Sequence, residues 1–196
     1  MQQITMRGLA ALGVLISMAF ISTTPAMAES TALCRQDEEP CKSSNFATHL
    51  HAVSIGQVKV LTSAFTAECN ALFLGDATSS LASPLALTGS FTYSNCGSKC
   101  IVSEENGPAN VSVLKSGHET ASVTIALLLH LTCSGINCSY SGKVEGTAKG
   151  PLLSFEPNGE VSFQEKSLSK ETGAFCPTTA KLDAAGTPLE AIYISG

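Results

Sequence analysis

The sequence predicts an all-β protein, in which a signal peptide is followed by a single disulfide-stabilised antiparallel domain, either a β-sandwich or barrel-like. Three observations predict this fold class. Short runs of residues alternate between apolar and polar, as in strands with one buried face. Turn-forming residues separate these runs at intervals of roughly ten residues, which is typical of antiparallel sandwiches and barrels. All eight cysteines follow the export signal, where an even number indicates a disulfide framework.

The amino-terminal segment has the three parts of a secretory signal peptide. Arg7 supplies positive charge, residues 9–21 form an apolar run, and Ala26–Ala28 provide the small residues of a cleavage site. We therefore expect cleavage after Ala28. The apolar run is shorter than the ~20 residues of a spanning helix, which argues against a membrane anchor. Acylation at Cys34 is disfavoured because the large residue Leu33 precedes it.

The predicted organisation is a signal peptide over residues 1–28, a disulfide-loop region over 29–45 and an antiparallel β domain over 46–196. Removal of the signal leaves 168 of the 196 residues, which suits one domain. This part holds 10 Lys and Arg against 16 Asp and Glu, a net charge of −6. An acidic chain without a basic cluster is a poor nucleic-acid binder. We expect no nucleic-acid partner and no membrane span after the signal.

Rows of apolar residues at every second position predict the strands, taken here in chain order. The predicted rows are Phe46, Thr48, Leu50 and Ala52; Val58 and Val60; Leu87, Gly89, Phe91 and Tyr93; Val111 and Val113; Val123, Ile125, Leu127, Leu129 and Leu131; and Val161 and Phe163. The last strand is predicted over Leu189–Ile194.

The spacing of the cysteines predicts three short closures and one long one. The eight residues are Cys34, Cys41, Cys69, Cys96, Cys100, Cys133, Cys138 and Cys176. The pairs Cys96–Cys100 and Cys133–Cys138 each enclose a turn that contains glycine, so we expect each to staple a hairpin. Cys34 and Cys41 close a short polar loop. Elimination leaves Cys69 to pair with Cys176, a long closure that would restrain the unfolded chain most.

Zinc is the alternative interpretation of the cysteine spacing, because C-x3-C followed by C-x4-C resembles a four-cysteine site. Structural zinc sites usually have tighter knuckles, and zinc thiolates suit reducing compartments. The export signal therefore favours disulfides. We assign no metal, no cofactor and no catalytic residue.

Several polar residues are candidates for a functional site. His49 and His51 are two apart on a predicted strand and share a face, but no third metal ligand accompanies them. A solvent-facing pair is the favoured interpretation. His118 is predicted in a turn and His130 on the polar face of a strand. The acidic run at 37–39 lacks the spacing of a calcium loop and is interpreted as exposed.

Short motifs give weak signals for chemistry. Residues 112–115 and 167–170 match the S-x-x-K of serine β-lactamases, but no suitably placed S-D-N element accompanies them. Residues 110–112 and 137–139 match the N-glycosylation sequon. The chain has no Trp and only three Tyr, so the usual aromatic platform for glycan binding is missing.

The cysteine placement and the tail carry a resemblance to a group of proteins. The matching features are Cys34, Pro40-Cys41, a strand ending at Cys69, the two close cysteine pairs, and Phe175-Cys176-Pro177 leading into Ala191-Ile192-Tyr193. In these features the chain resembles uncharacterised exported β proteins of soil actinobacteria. The resemblance implies an exported all-β domain and no activity, cofactor or partner.

The function predicted from these observations is a non-enzymatic extracellular or cell-envelope module that binds a partner or serves structurally. A protein or a glycan of the envelope is the expected kind of partner, of unknown identity. One alternative is a secreted hydrolase whose site gathers distant polar residues, with His49, His51 or His130 as candidates. Another is a secreted inhibitor or effector that presents a stapled loop.

Overall fold

The computed structural model describes residues 30–97, 99–105 and 107–196. The predicted signal peptide, with its cleavage after Ala28, lies outside them. The described chain is all-β and antiparallel, with one short 3-10 turn at Ser43–Asn45, which confirms the predicted fold class. No helix among these residues has the length and apolar character needed to cross a membrane.

The strand bounds follow the chain from the amino terminus. They are β1 Ala32–Cys34, β2 His49–Ser54, β3 Val58–Leu61, β4 Thr66–Ala77, β5 Leu85–Ser94, β6 Cys100–Glu104, β7 Ala109–Gly117, β8 Thr120–Cys133, β9 Ile136–Lys149, β10 Glu160–Thr172, β11 Thr179–Pro188 and β12 Tyr193–Ser195.

Strands β2 to β11 of the described chain join edge to edge into a closed ring. β2 and β3 occupy one position in it, because both pair with β4 on one side and β11 on the other. β6 and β7 likewise share one edge of β8. The ten strands therefore fill eight positions in the ring. Strands that are neighbours in sequence are also neighbours in the ring, and the pairing of β10 with β11 completes it. The arrangement is barrel-like.

The interior of the ring is built by alternation along each strand, as predicted. In β8 the buried row contains the five predicted residues Val123, Ile125, Leu127, Leu129 and Leu131. In β5 the predicted row from Leu87 to Tyr93 also faces inward, because it is matched in register by the buried row of β4. The valines predicted in β3 and β7 are buried as well.

The carboxyl-terminal strands differ from the prediction. The last strand is shorter than expected and begins at Tyr193, because the chain at residues 189–192 makes isolated hydrogen bonds instead of a ladder. The long strand β11 before it was not predicted. β11 is held between β10 on one side and β2 and β3 on the other.

A two-stranded sheet of β1 and β12, called the cap below, lies across one end of the ring. Backbone hydrogen bonds fasten it to several connections at that end: Thr31 N to Ala82 O, Ala47 N to Leu33 O, and Ile192 N to Asn158 O. Leu33 and Ile194 of the cap are buried against the interior.

All eight cysteines form disulfides, but three of the four predicted pairings are wrong. Cys34–Cys41 is confirmed, and it lies beside the cap. The other observed bonds are Cys69–Cys96, Cys100–Cys133 and Cys138–Cys176, at the opposite end of the ring, called the disulfide end below.

Strand register explains why the predicted turn staples do not form. The β8–β9 hairpin turns at residues 134–135, so Cys133 faces Ile136, while Cys138 faces Leu131 further along β8. Cys133 faces Cys100 on the other side, where the two Cα atoms are 4.1 Å apart. The bond therefore crosses between neighbouring strands.

The remaining two corrections follow the same rule. Cys96 lies beyond the end of β5 and reaches back to Cys69 on neighbouring β4, with Gly97 N donating to Glu68 O beside the bond. Cys176 lies in the β10–β11 connection and bonds Cys138 on β9. No long closure between Cys69 and Cys176 exists, and three closures of similar length replace it.

Candidate functional site

An apolar cavity of about 150 Å³ lies inside the ring beneath the cap. Side chains on β2, β3, β4, β5, β7, β8, β9, β10 and β11 form its walls, and Leu33, Ile192 and Ile194 line it at the cap. A dry cavity of about this size, lined by aliphatic and aromatic groups, can hold a benzene-sized molecule. A concave apolar cavity of this kind inside a barrel-like ring is a candidate ligand site.

Small residues on neighbouring strands leave this space open. Val161 of β10 pairs with Ala148 of β9 on one side and with Gly186 of β11 on the other, and Gly186 in turn faces Ser54 of β2. All four residues line the cavity. Three of them are too small to reach the centre of the ring, so the volume beside them is not filled.

Two glycines hold an aromatic ring against the wall of the cavity. A Cβ atom on Gly75 would lie 2.5 Å from Phe73 Cζ, and one on Gly89 would lie 2.7 Å from the same atom. Without those atoms the Phe73 ring rests on the strand surface, with its centroid 4.8 Å from that of Phe91. The two rings therefore form an aromatic wall and do not fill the cavity.

The cavity extends to the base of the β9–β10 connection, where its lining becomes polar. Lys149, Asn158 and Glu160 line it there. Asn158 Nδ2 donates to Pro188 O at 3.0 Å, which ties this connection to the end of β11. Apart from Ser54 of β2, the rest of the lining is apolar, so the interior suits an uncharged, apolar molecule.

Two carboxylates hold the cap at this end of the ring. Glu119, in a left-handed turn with φ of 50°, is buried and accepts a hydrogen bond from Ile194 N at 2.9 Å. Burial raises the pKa of Glu119 above its ordinary range, more than that hydrogen bond lowers it. Glu39 accepts hydrogen bonds from Lys115 Nζ and from Gly196 N, and the bond from Lys115 lowers the pKa of Glu39.

A third carboxylate lies towards the disulfide end. Glu104 of β6 accepts a hydrogen bond from Phe91 N at 2.8 Å, and burial raises the pKa of Glu104. Burial, with a smaller effect of Glu104, raises the pKa of Tyr93. Phe91 N lies beyond the end of the β5–β7 pairing at Gly89, and Glu104 and Tyr93 do not line the cavity.

The histidines singled out in the sequence lie on the outside of the ring. His49 and His51 are both exposed on β2, as interpreted, and His49 Nδ1 lies 2.5 Å from Asp76 Oδ1 on β4. His118 is in the β7–β8 turn, as predicted. Among the described residues no three His, Cys, Asp or Glu side chains are placed to share a metal ion.

His130 belongs to a separate polar cluster. Ser139 Oγ donates to Glu105 Oε2 at 2.8 Å, and His130 Nδ1 lies 3.2 Å from Ser139 Oγ. In a nucleophilic triad the imidazole would lie between the hydroxyl and the carboxylate. Here the hydroxyl lies between the other two, so the cluster fastens the β6–β7 connection to β8 and β9. His49 and His130 lie on β2 and β8, with β4, β5 and β7 between them.

Comparison of the chain with protein-family models, with curated proteins and with solved structures finds no match. The similarity of its cysteine pattern to exported actinobacterial proteins stays a prediction.

Sequence reasoning missed the cavity. The rows of inward residues are visible in the sequence, but the cavity depends on which small residues become neighbours across the closed ring. Ala148 and Gly186 are 38 positions apart and meet only through Val161 between them. The available signal is the excess of Ala and Gly at inward positions of β9 and β11.

Proposed function

We propose that the protein is a non-enzymatic extracytoplasmic binding module, secreted or held in the cell envelope, that carries a small apolar molecule inside its ring of strands. The apolar cavity beneath the cap is the observation that carries this proposal. Its volume sets the ligand at about the size of benzene or a short alkyl chain. Its lining disfavours a charged ligand, because the deep wall offers no partner for a buried charge.

The location rests on the disulfides and on the export signal. Four bonds among eight cysteines are typical of proteins that fold in an oxidising compartment. The sequence predicts a signal peptide, and the resemblance to exported actinobacterial proteins supports the same compartment. The envelope protein or glycan expected from the sequence would then be a partner of the outer surface.

Toluene is the probe that tests the proposal. We expect the oxidised protein to bind toluene saturably, and its melting temperature to rise with toluene concentration through ligand linkage. Ala148→Leu should weaken toluene binding about tenfold or more, because the larger side chain occupies the cavity. The same substitution should raise the melting temperature without ligand, as cavity filling does.

Ala86→Leu is the matched control, because Ala86 lies on the exposed face of β5. It adds the same atoms outside the ring and should leave toluene binding unchanged. Absence of toluene binding by the parent protein, or equal loss in both variants, would falsify the cavity as a ligand site.

A further inference from the structure

Large apolar side chains are exposed at the cap end, beside the polar end of the cavity. In the β9–β10 connection Leu152 and Leu153 are 55% and 49% exposed and Phe155 is fully exposed. Leu189, just after β11, is 54% exposed. These four residues are called the apolar rim below. Exposed apolar patches mark surfaces that contact another apolar phase.

Hydrogen bonds to the β7–β8 turn and within the connection hold the segment that carries Leu152, Leu153 and Phe155. Gly150 N donates to Glu119 O, and Leu153 N donates to Gly150 O at 3.1 Å. Glu156 N donates to Ser154 Oγ, also at 3.1 Å. The backbone of the β9–β10 connection is thus hydrogen-bonded within the protein, while its large apolar side chains are exposed to solvent. These side chains therefore form an ordered apolar surface.

The rim and the cavity share the same connection. Asn158 and Glu160, which follow Phe155 in sequence, line the cavity, as does Lys149, which precedes Leu152. Asn158 also accepts from Ile192 N and donates to Pro188 O, so it fixes the chain on both sides of Leu189. A small apolar ligand dissolves sparingly in water and concentrates in lipid. A rim at the polar end of the cavity is therefore placed to meet the phase that holds such a ligand.

The charged residues near the apolar rim indicate whether a neutral or an anionic lipid surface is favoured. Glu156 and Glu160 follow Phe155 in sequence and Lys149 precedes Leu152, while Glu190 follows Leu189 and pairs with Arg35 at 3.9 Å. The chain as a whole is acidic. Attraction to anionic lipid requires clustered Lys and Arg, which this end does not present.

We propose that the apolar rim inserts shallowly into a neutral lipid surface, from which the cavity takes its ligand. The inference rests on the proposed function, because the cavity supplies the reason for lipid contact. Leu and Phe are side chains that interfacial anchors bury at the boundary between headgroups and acyl chains.

Flotation with phosphatidylcholine vesicles tests the inference on oxidised protein whose intact mass shows that residues 1–28 are removed. We expect the parent to float with the vesicles. The triple variant Leu152→Ser, Leu153→Ser, Phe155→Ser should partition at least about tenfold less, because three apolar anchors are lost. Replacing part of the lipid with phosphatidylglycerol should not strengthen binding.

The matched control removes exposed apolar side chains from the disulfide end. Phe175 and Ile101 are 83% and 66% exposed there, and Phe175→Ser with Ile101→Ser should leave flotation unchanged. Equal loss in this variant, or no flotation of the parent, overturns the inference.

Toluene binding separates the two proposals. The triple rim variant should still bind toluene as the parent does, since its cavity lining is unchanged. Toluene binding without flotation leaves the cavity proposal standing and overturns lipid contact, with a protein as the occupant of the rim. Flotation without toluene binding overturns both the cavity proposal and the transfer of ligand from lipid.

Discussion

Glu119 shows how one buried carboxylate holds the cap against the ring. Its side chain accepts the N–H of Ile194, which would otherwise be a buried donor without a partner. Such a donor costs about 1–3 kcal/mol when it loses its acceptor. The position is tight as well, because a Cβ on Gly150 would collide with the Glu119 carboxylate. The hydrogen bond and the glycine together place β12 over the cavity.

Titration of Glu119 should lower stability as the pH rises. Burial raises the folded-state pKa above the ordinary value of 4.5, with Asp37 and Glu39 acting in the same direction and His118 against it. From about pH 4.5 upward, until the folded-state pKa is passed, the folded protein keeps a proton that the unfolded chain has lost. Raising the pH through this window favours unfolding. Below it, the unfavourable contribution of the buried charge is absent.

Glu119→Gln should remove this pH dependence while its amide oxygen still accepts from Ile194 N. We expect the free energy of unfolding of the parent, relative to the variant, to fall as urea denaturation is repeated from pH 4 to pH 8. Glu145→Gln, at an exposed position of β9, is the control and should follow the parent. A constant difference between parent and Glu119→Gln at every pH would contradict the assignment.

At the scale of the strands, a strand could be predicted from the sequence only where its own residues carry an alternating pattern. β8 was predicted with its buried face, because strict alternation over 120–133 is a property of neighbouring residues. β11 was missed because residues 179–188 are rich in Ala, Gly and Pro, which have low strand propensity. Its pairing with β10, β2 and β3 makes it a strand, and such partners are distant in the sequence.

The disulfides also divide into one that local sequence predicts and three that depend on the pairing of distant strands. The short closure Cys34–Cys41 was predicted because loop geometry decides it. The other bonds required the register of strands that the sequence does not give. Their loops of 27, 33 and 38 residues each contribute about 3.6–3.9 kcal/mol on the chain-entropy model. Stabilisation is therefore shared among three bonds at one end of the ring.

Removing one of these bonds should cost more than removing the bond beside the cap. The double variant Cys100→Ala, Cys133→Ala should lose about 3.7 kcal/mol of unfolding free energy, from a loop of 33 residues. Cys34→Ala with Cys41→Ala should lose about 2.4 kcal/mol, because that loop has 7 residues. Denaturant unfolding of the oxidised proteins measures both.

Peptide mapping without reduction checks the pairings themselves. The expected products link Cys69 to Cys96, Cys100 to Cys133 and Cys138 to Cys176. A peptide that links Cys69 to Cys176 would contradict the register described for β4, β6 and β9.

At the scale of the whole molecule, closure of the ring and the cap together create the site. The sequence predicts rows of inward-facing residues for most strands. A cavity beside such a row depends on which residues of the two neighbouring strands lie next to it. The candidate site is thus a property of the closed ring. The cap completes it with residues from both ends of the described chain, since β1 pairs with β12.

Loss of β12 should therefore open the cavity, while the strands of the ring stay folded. A chain that ends at Ala191 lacks Ile192 and Ile194, which line the cavity at the cap. We expect a lower melting temperature and increased fluorescence of added anilinonaphthalene sulfonate, which reports exposed apolar surface. A chain that ends at Ser195 keeps β12 and is the control. Unchanged dye fluorescence in the shorter chain would show that the cap does not seal the interior.

The pairing of the cysteines has a consequence for biosynthesis. Each cysteine bonds the one beside it in sequence order, first to second, third to fourth, fifth to sixth and seventh to eighth. When such a chain is delivered to an oxidising compartment from its amino-terminal end, the correct partner of each unpaired thiol is the next thiol to arrive. Oxidation in order of arrival therefore produces the native set, and the slow reshuffling of mispaired bonds, which takes seconds to hours, is not required.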